Sequence, residues 1–139
     1  MILGSGCSAK PPAQKGLKGG QLPPCPSSPN CVTSMGGKPG REVAPLDYDG
    51  SRSEAVDDLL AVLSMMEGAS VRQQQEEYLW VEFTSKVFGF VDDVEFSLPS
   101  GESVIHVRSA SRLGYYDFGV NAGRVAKIRK LFNSRQTRR

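Results

Sequence analysis

Apolar residues fall along this chain in two rhythms. Ala55, Val56, Leu59, Leu60, Val62, Leu63 and Met66 recur at steps of three and four, the spacing of one helix face. Ser51-Arg-Ser-Glu54 stands before them with the spacing of a capping box, and Gly68 stands where a helix ends in the left-handed conformation. The spacing predicts a helix over 52–67, with Met65 and Met66 as core filler. Residues 71–85 then alternate, Tyr78, Trp80 and Glu82 against Leu79, Val81 and Phe83, and predict one long strand. Because its centre is apolar on both faces, it should be covered on both sides, or covered on one and line a groove on the other. Residues 91–98 form a second strand, with Val94, Phe96 and Leu98 inward and Asp93, Glu95 and Ser97 outward. Pro99-Ser-Gly-Glu102 connects it to a third over 103–109, with Ile105 and Val107 inward and His106 and Arg108 outward. Upstream, Leu46-Asp-Tyr48 reads as a short strand or a docked aromatic. Helical spacing returns in Val125, Ile128, Leu131 and Phe132, opposite Arg124, Lys127, Arg129 and Lys130, with Asn121 as the expected N-cap. The expectation is an α+β fold, an antiparallel meander of three to four strands covered on one face by two helices, with an irregular N-terminal arm.

Composition divides the chain. Its 139 residues, 39% apolar, suit one domain. Eight of the nine prolines and nine of the fifteen glycines precede residue 51, so 1–24 reads as a flexible tether or the remnant of a lipoprotein signal, 25–135 as the domain, and 136–139 as a basic, solvated tail. Met1-Ile-Leu-Gly-Ser-Gly-Cys7 is similar to the end of a bacterial lipoprotein signal, since small residues precede the cysteine and a polar tether follows. It departs from that pattern at Gly4, where an apolar residue is usual, and it lacks the charged and apolar leader regions. A late start, removal of the signal, and chance are the three explanations. Under the first two Cys7 carries a lipid anchor, the only membrane attachment expected, and the protein belongs to the cell envelope or is secreted.

Charge and cysteine usage narrow the chemistry. A net charge of +2 and a basic last helix without interleaved aromatics argue against nucleic acid. Cys25-Pro-Ser-Ser-Pro-Asn-Cys31 holds two cysteines on a stiff turn. Five intervening residues suit a small disulfide better than a zinc site, which also needs a second ligand pair; the alternative is two reduced thiols in a cytosolic turn. No metal or cofactor is expected. His106 has no cysteine or serine at a fixed offset and reads as a surface or pairing residue.

The candidate site is the strand-to-helix junction. Arg108, Arg112 and Arg124 are expected to converge there with Asp117, beside Asp92 and Asp93. One interpretation is structural, an ion-pair network of Asp92, Asp93 and Asp117 with the arginines. The other is a binding site, in which the helix N-terminus at Asn121 and the three guanidinium groups hold an anion against Tyr115 and Tyr116, with Phe118 completing the wall. Asp92 and Asp93 point to opposite faces of a strand, which argues against a shared metal and against an acid–base pair.

Cys25-Pro-Ser-Ser-Pro-Asn-Cys31, Phe90-Val-Asp-Asp-Val-Glu-Phe96 and Val107-Arg-Ser-Ala-Ser-Arg-Leu-Gly114, followed by Asp117 and Gly119-Val-Asn121, together resemble the family catalogued as domain of unknown function 1499. The resemblance covers about 110 residues. It implies envelope or secreted proteins of no settled activity, with paired cysteines at Cys25 and Cys31 and polar motifs at Asp92, Asp93, Arg108, Ser109, Ser111 and Arg112. Where the family continues Gly-Val-Asn-Arg, this chain has Ala122, and Arg124 is a possible substitute. The expected function is an envelope accessory or binding protein, a monomer, holding a small anionic ligand or a partner's acidic segment at the junction. A purely structural or protein-interaction domain is the alternative, and a hydrolase using Asp92 or Asp93 as base ranks below it.

Overall fold

The computed structural model describes residues 15–138. Cys7, the leader-like start and Arg139 lie outside the described residues. In chain order the elements are β1 (Cys31–Thr33), β2 (Leu46–Asp47), α1 (Arg52–Ser64), β3 (Ala69–Gln75), β4 (Tyr78–Thr84), β5 (Val91–Ser97), β6 (Val104–Ser111) and α2 (Val120–Gln136). The strands make one antiparallel six-stranded sheet in the order β1-β6-β5-β4-β3. Both β1 and β2 lie along the outer edge of β6, β1 opposite Arg108 to Ala110 and β2 opposite Val104 and Ile105. The fold is α+β.

The capping box forms as its spacing predicts, with Ser51 accepting from the Glu54 N–H and Glu54 accepting from the Ser51 N–H. α1 packs against α2 on one face of the sheet, which brings Leu59, Val62, Val125, Ile128 and Phe132 onto Val81, Val94, Phe96 and Val107. Met66 joins this core, but Met65 points to solvent, because α1 ends at Ser64 and Met65 falls on the outer side of its last turn. Gly68 follows in the left-handed conformation at φ +84°, and a Cβ there would run into the Thr84 carbonyl oxygen. Only glycine meets both demands.

The single strand expected over 71–85 is two strands, β3 and β4, turning at Glu76-Glu77. No glycine, proline or asparagine marks that turn, and β3 is an exposed edge whose glutamines carry no inward alternation. β1 was not foreseen either, since three residues beside a disulfide loop have no period of their own. α2 begins at Val120 behind a left-handed Gly119, so Asn121 is not its N-cap but a fully buried residue of its first turn.

The second face of the sheet is covered by the chain's own beginning. Residues 15–24, expected from composition to belong to a tether, lie across it. Leu22 is 4% exposed and packs with Tyr78 and Trp80. The Lys15 ammonium sits 4.5 Å from the centre of the Trp80 ring. The Gly16 N–H donates to Glu95 Oε2 at 3.1 Å, and Arg108 donates to the Pro24 carbonyl at 3.3 Å. With helices on one side and the arm on the other, every residue of β5 is buried, the outward-facing Asp93, Glu95 and Ser97 included.

Gly68→Ala is expected to destabilise the fold by about 2 kcal/mol or more, from left-handed strain plus the clash with Thr84. Urea unfolding checks this, and an unchanged midpoint would contradict the close approach.

Candidate functional site

Register across the sheet decides where each charged side chain goes. β5 and β6 pair Asp92 with Ser111 and Asp93 with Ala110, and β4 sets Phe83 opposite Asp92. Asp92 therefore faces the helices, and Asp93 faces the arm.

On the helix side, Arg124 comes from the second turn of α2. It donates to Asp92 Oδ2 at 2.6 Å, to Ser109 Oγ at 3.1 Å and to Asn121 Oδ1 at 2.7 Å. Its guanidinium carbon lies 4.8 Å from the centre of the Phe83 ring. On the arm side, Asp93 accepts from Trp80 Nε1 at 2.8 Å and from Arg112 Nε at 2.7 Å, while Arg112 also reaches Glu82. Arg108 stands on the same face, 3.8 Å from Glu95. The three arginines expected at one junction thus do not converge, because the sheet lies between Arg124 and the other two. Each meets a carboxylate on its own side.

The buried pair on the arm side is electrostatically tense. Burial pushes the Glu95 carboxyl above its usual range, against the Gly16 N–H and Arg108, which favour the ionised form. Burial likewise lowers Arg108, and burial with the neighbouring Glu95 raises the Tyr78 phenol.

The N-terminus of α2 already has its anion. Asp117 Oδ1 accepts from the Gly119 N–H at 2.9 Å, and Oδ2 accepts from the Asn121 N–H at 2.9 Å and from Asn121 Nδ2 at 2.8 Å. Asp117, expected in an ion pair, is a helix cap held by amides, since the turn 112–119 folds its carboxylate back over the first turn of the helix. Burial opposes its ionisation, but the amide donors outweigh burial and hold its pKa below the usual carboxylate range. Asn121 carries the tie further, donating to Ser111 Oγ and the Asn30 carbonyl and accepting from Ser109 Oγ. Asn30 in turn donates to the Gly114 carbonyl at 2.7 Å. It is the neighbour of Cys31, which forms the disulfide with Cys25 across a Cα separation of 5.7 Å. The disulfide loop therefore anchors the 112–119 turn.

Above Arg124 lies a groove of about 470 Å³. Phe90 forms one wall, and Leu113, Tyr116, Phe118 and Val120 form the other, while Phe83, Asp92 and Arg124 line it more deeply. Tyr116 and Phe118 meet edge to face at 4.9 Å. Phe118 is the one non-glycine residue with positive φ among the described residues, at +56°, and it is 85% exposed. A phenylalanine is strained in that conformation.

Of the binding residues expected from sequence, Arg124 and Tyr116 line the groove. Asn121 braces it from below. Arg108 and Arg112 stand on the opposite face, and Tyr115 is exposed beside the groove without lining it. Phe83, Phe90, Leu113 and Val120 were missed. For Phe90, Leu113 and Val120 the signal was an apolar residue next to a turn glycine, Gly89, Gly114 and Gly119, whereas Phe83 carries no such mark. His106 is a pairing residue, its Nδ1 3.0 Å from Ser34 Oγ. No group of three metal-ligating side chains occurs among the described residues.

The family model described as "Protein of unknown function (DUF1499)" matches residues 21–132, most of the chain. The chain belongs to that family. No curated protein matches it. The matched span of this DUF1499 protein includes the disulfide, both ion pairs, the Asp117 cap and the groove.

Arg112→Ala and Arg124→Ala are each expected to cost about 3 kcal/mol in urea unfolding, because each strands a buried carboxylate. A loss below about 1 kcal/mol would mean the pairs are not closed in solution. Because the folded pKa of Asp117 is depressed, its contribution is complete above the ordinary carboxylate value of about 4 and disappears as pH falls through the lower folded value. Melting temperatures between pH 6 and pH 2.5 should therefore fall less steeply at the acid end in Asp117→Asn than in the native chain.

Proposed function

We propose that this DUF1499 protein is a binding domain of the cell envelope, and that the groove between the loops 85–90 and 112–119 is where it holds its ligand. The observation that carries the proposal is the groove itself, an aromatic cleft in the size range of small-molecule sites with a few polar groups at its base. The surface around it supports the same conclusion. Of the ten large apolar side chains exposed among the described residues, eight lie between Val87 and Phe90 or between Leu113 and Val120. Apolar surface gathered at one end of a domain marks a contact site. The left-handed Phe118 adds to it, since a strained residue at a rim persists only where its surroundings impose it.

Binding fits the polar groups better than hydrolysis does. Asp92 and Asp93, the two candidate bases, are each locked to an arginine, on opposite faces of the sheet. The anionic ligand expected at the helix N-terminus is replaced in this proposal by a mainly apolar one, because Asp117 holds that position and Asp92 neutralises Arg124. Placement in the envelope or outside the cell rests on the Cys25–Cys31 disulfide, a bond that persists in oxidising compartments.

Nile red, an uncharged apolar dye, is expected to bind saturably at one site with a blue-shifted emission. Leu113→Ser with Phe118→Ser should weaken that binding at least tenfold, while the melting temperature stays near that of the native chain, since both side chains are exposed. Absence of saturable binding would sink the groove as a ligand site.

A further inference from the structure

The polar base of the groove specifies more than a hydrophobic occupant. This inference rests on the groove being the ligand site. Asp92 and Arg124 both line it, and each side chain keeps 12% of its surface accessible. Their mutual bond uses Asp92 Oδ2 and one N–H of Arg124 Nη2. Both hydrogens of Arg124 Nη1 are taken, by Ser109 and Asn121. Among the described residues no partner meets Asp92 Oδ1, the second Nη2 hydrogen or Nε–H of Arg124. The base of the groove thus offers a carboxylate acceptor and guanidinium donors side by side, with the charges of that pair cancelled. Glu67 and Asp117 also line the groove, but Glu67 is paired with Lys86 and Asp117 is held by the Gly119 and Asn121 amides.

We infer that the ligand is an amphipathic molecule whose apolar chain lies between Phe90 and Phe118 and whose head is an uncharged group able both to donate and to accept, such as a carboxamide. Its N–H donates to Asp92 and its C=O accepts from Arg124. A carboxylate head would bring a second negative charge beside Asp92, with one guanidinium for two anions, and would lose its hydration in an aromatic cleft. An ammonium head meets the mirror problem at Arg124. The neutral head costs least to desolvate and matches both partners.

Calorimetric titration of the native chain with octanamide, octanoate and octylammonium, below their aggregation concentrations, tests the inference against the Nile red result. Octanamide is expected to bind at least ~tenfold more tightly than either charged analogue, the discrimination of about one and a half hydrogen-bond equivalents at this scale. Asp92→Asn is expected to reverse the order toward octanoate, because Arg124 then lacks its counter-charge. Octanoate or octylammonium binding as tightly as octanamide would overturn the neutral-head inference and leave the groove in place as an apolar site. Nile red binding with none of the three eight-carbon ligands would also overturn it. Failure of Nile red to bind saturably would remove the groove as the ligand site, and this inference with it. The native-chain series decides the matter even if Asp92→Asn does not fold.

Discussion

Alternation along β5 sets Asp92 and Asp93 back to back, and each buried carboxylate must find a cation on its own side of the sheet. That constraint organises the molecule. Asp92 draws Arg124 and so fixes how α2 crosses β6, while Asp93 draws Arg112 and Trp80 and so fixes the second face. On the helix side one guanidinium meets one carboxylate, whereas Arg112 is shared between Asp93 and Glu82. The strand is pinned from above and below, and its register with β4 and β6 cannot slip by one residue without exchanging the two networks.

From the Asp92–Arg124 pair the consequences run outward into the groove. Arg124 also holds Asn121, Asn121 holds Asp117 and the Asn30 carbonyl, and Asn30 is continuous with the disulfide. These are short, mostly buried, charge-assisted or amide bonds, so the 112–119 turn is an ordered wall although its aromatic side chains face water. The groove is a by-product of that bracing. Helix cap, ion pair and disulfide hold the loop backbone, and its apolar side chains line the groove together with Phe83, Phe90 and Val91.

The second face solves a different problem. Glu95 and Arg108 are buried 3.8 Å apart, too far for a good hydrogen bond, and the backbone of the arm supplies part of what they lack through Gly16 and Pro24. Glu95 Oε1 and Arg108 Nε remain without hydrogen-bond partners among the described residues. Such a pair contributes little to stability, and its removal one partner at a time is costly. The arm is therefore part of the folded domain from Lys15 onward, and Gly16, Gly19 and Gly20 give its turns their left-handed backbone at φ +96°, +58° and +79°.

By itself the sequence determined the α+β class, the two helices with the capping box at Ser51, the inward alternation of β5 and β6, and the opposition of Asp92 to Asp93. These are local properties, set by spacing and by the geometry of one element at a time. The pairing of Cys25 with Cys31 was legible for the same reason, since six positions separate them. What only the tertiary structure decided was which charges meet. Arg108, Arg112 and Arg124 look alike in sequence, but Arg108 on β6 and Arg112 just past its end lie on one face of the sheet and Arg124 comes from a helix packed on the other. Asp117 looks like one more ion-pair partner, yet chain reversal at 112–119 turns it onto the amides of its own helix. The folding of 15–24 across the second face and the gathering of Phe90 and Phe118 around one groove depend on contacts between residues distant in sequence, and the split of 71–85 into β3 and β4 depends on a hairpin whose turn residues do not signal it. Periodicity carries no information about such contacts, because their energy is realised only when the sheet closes.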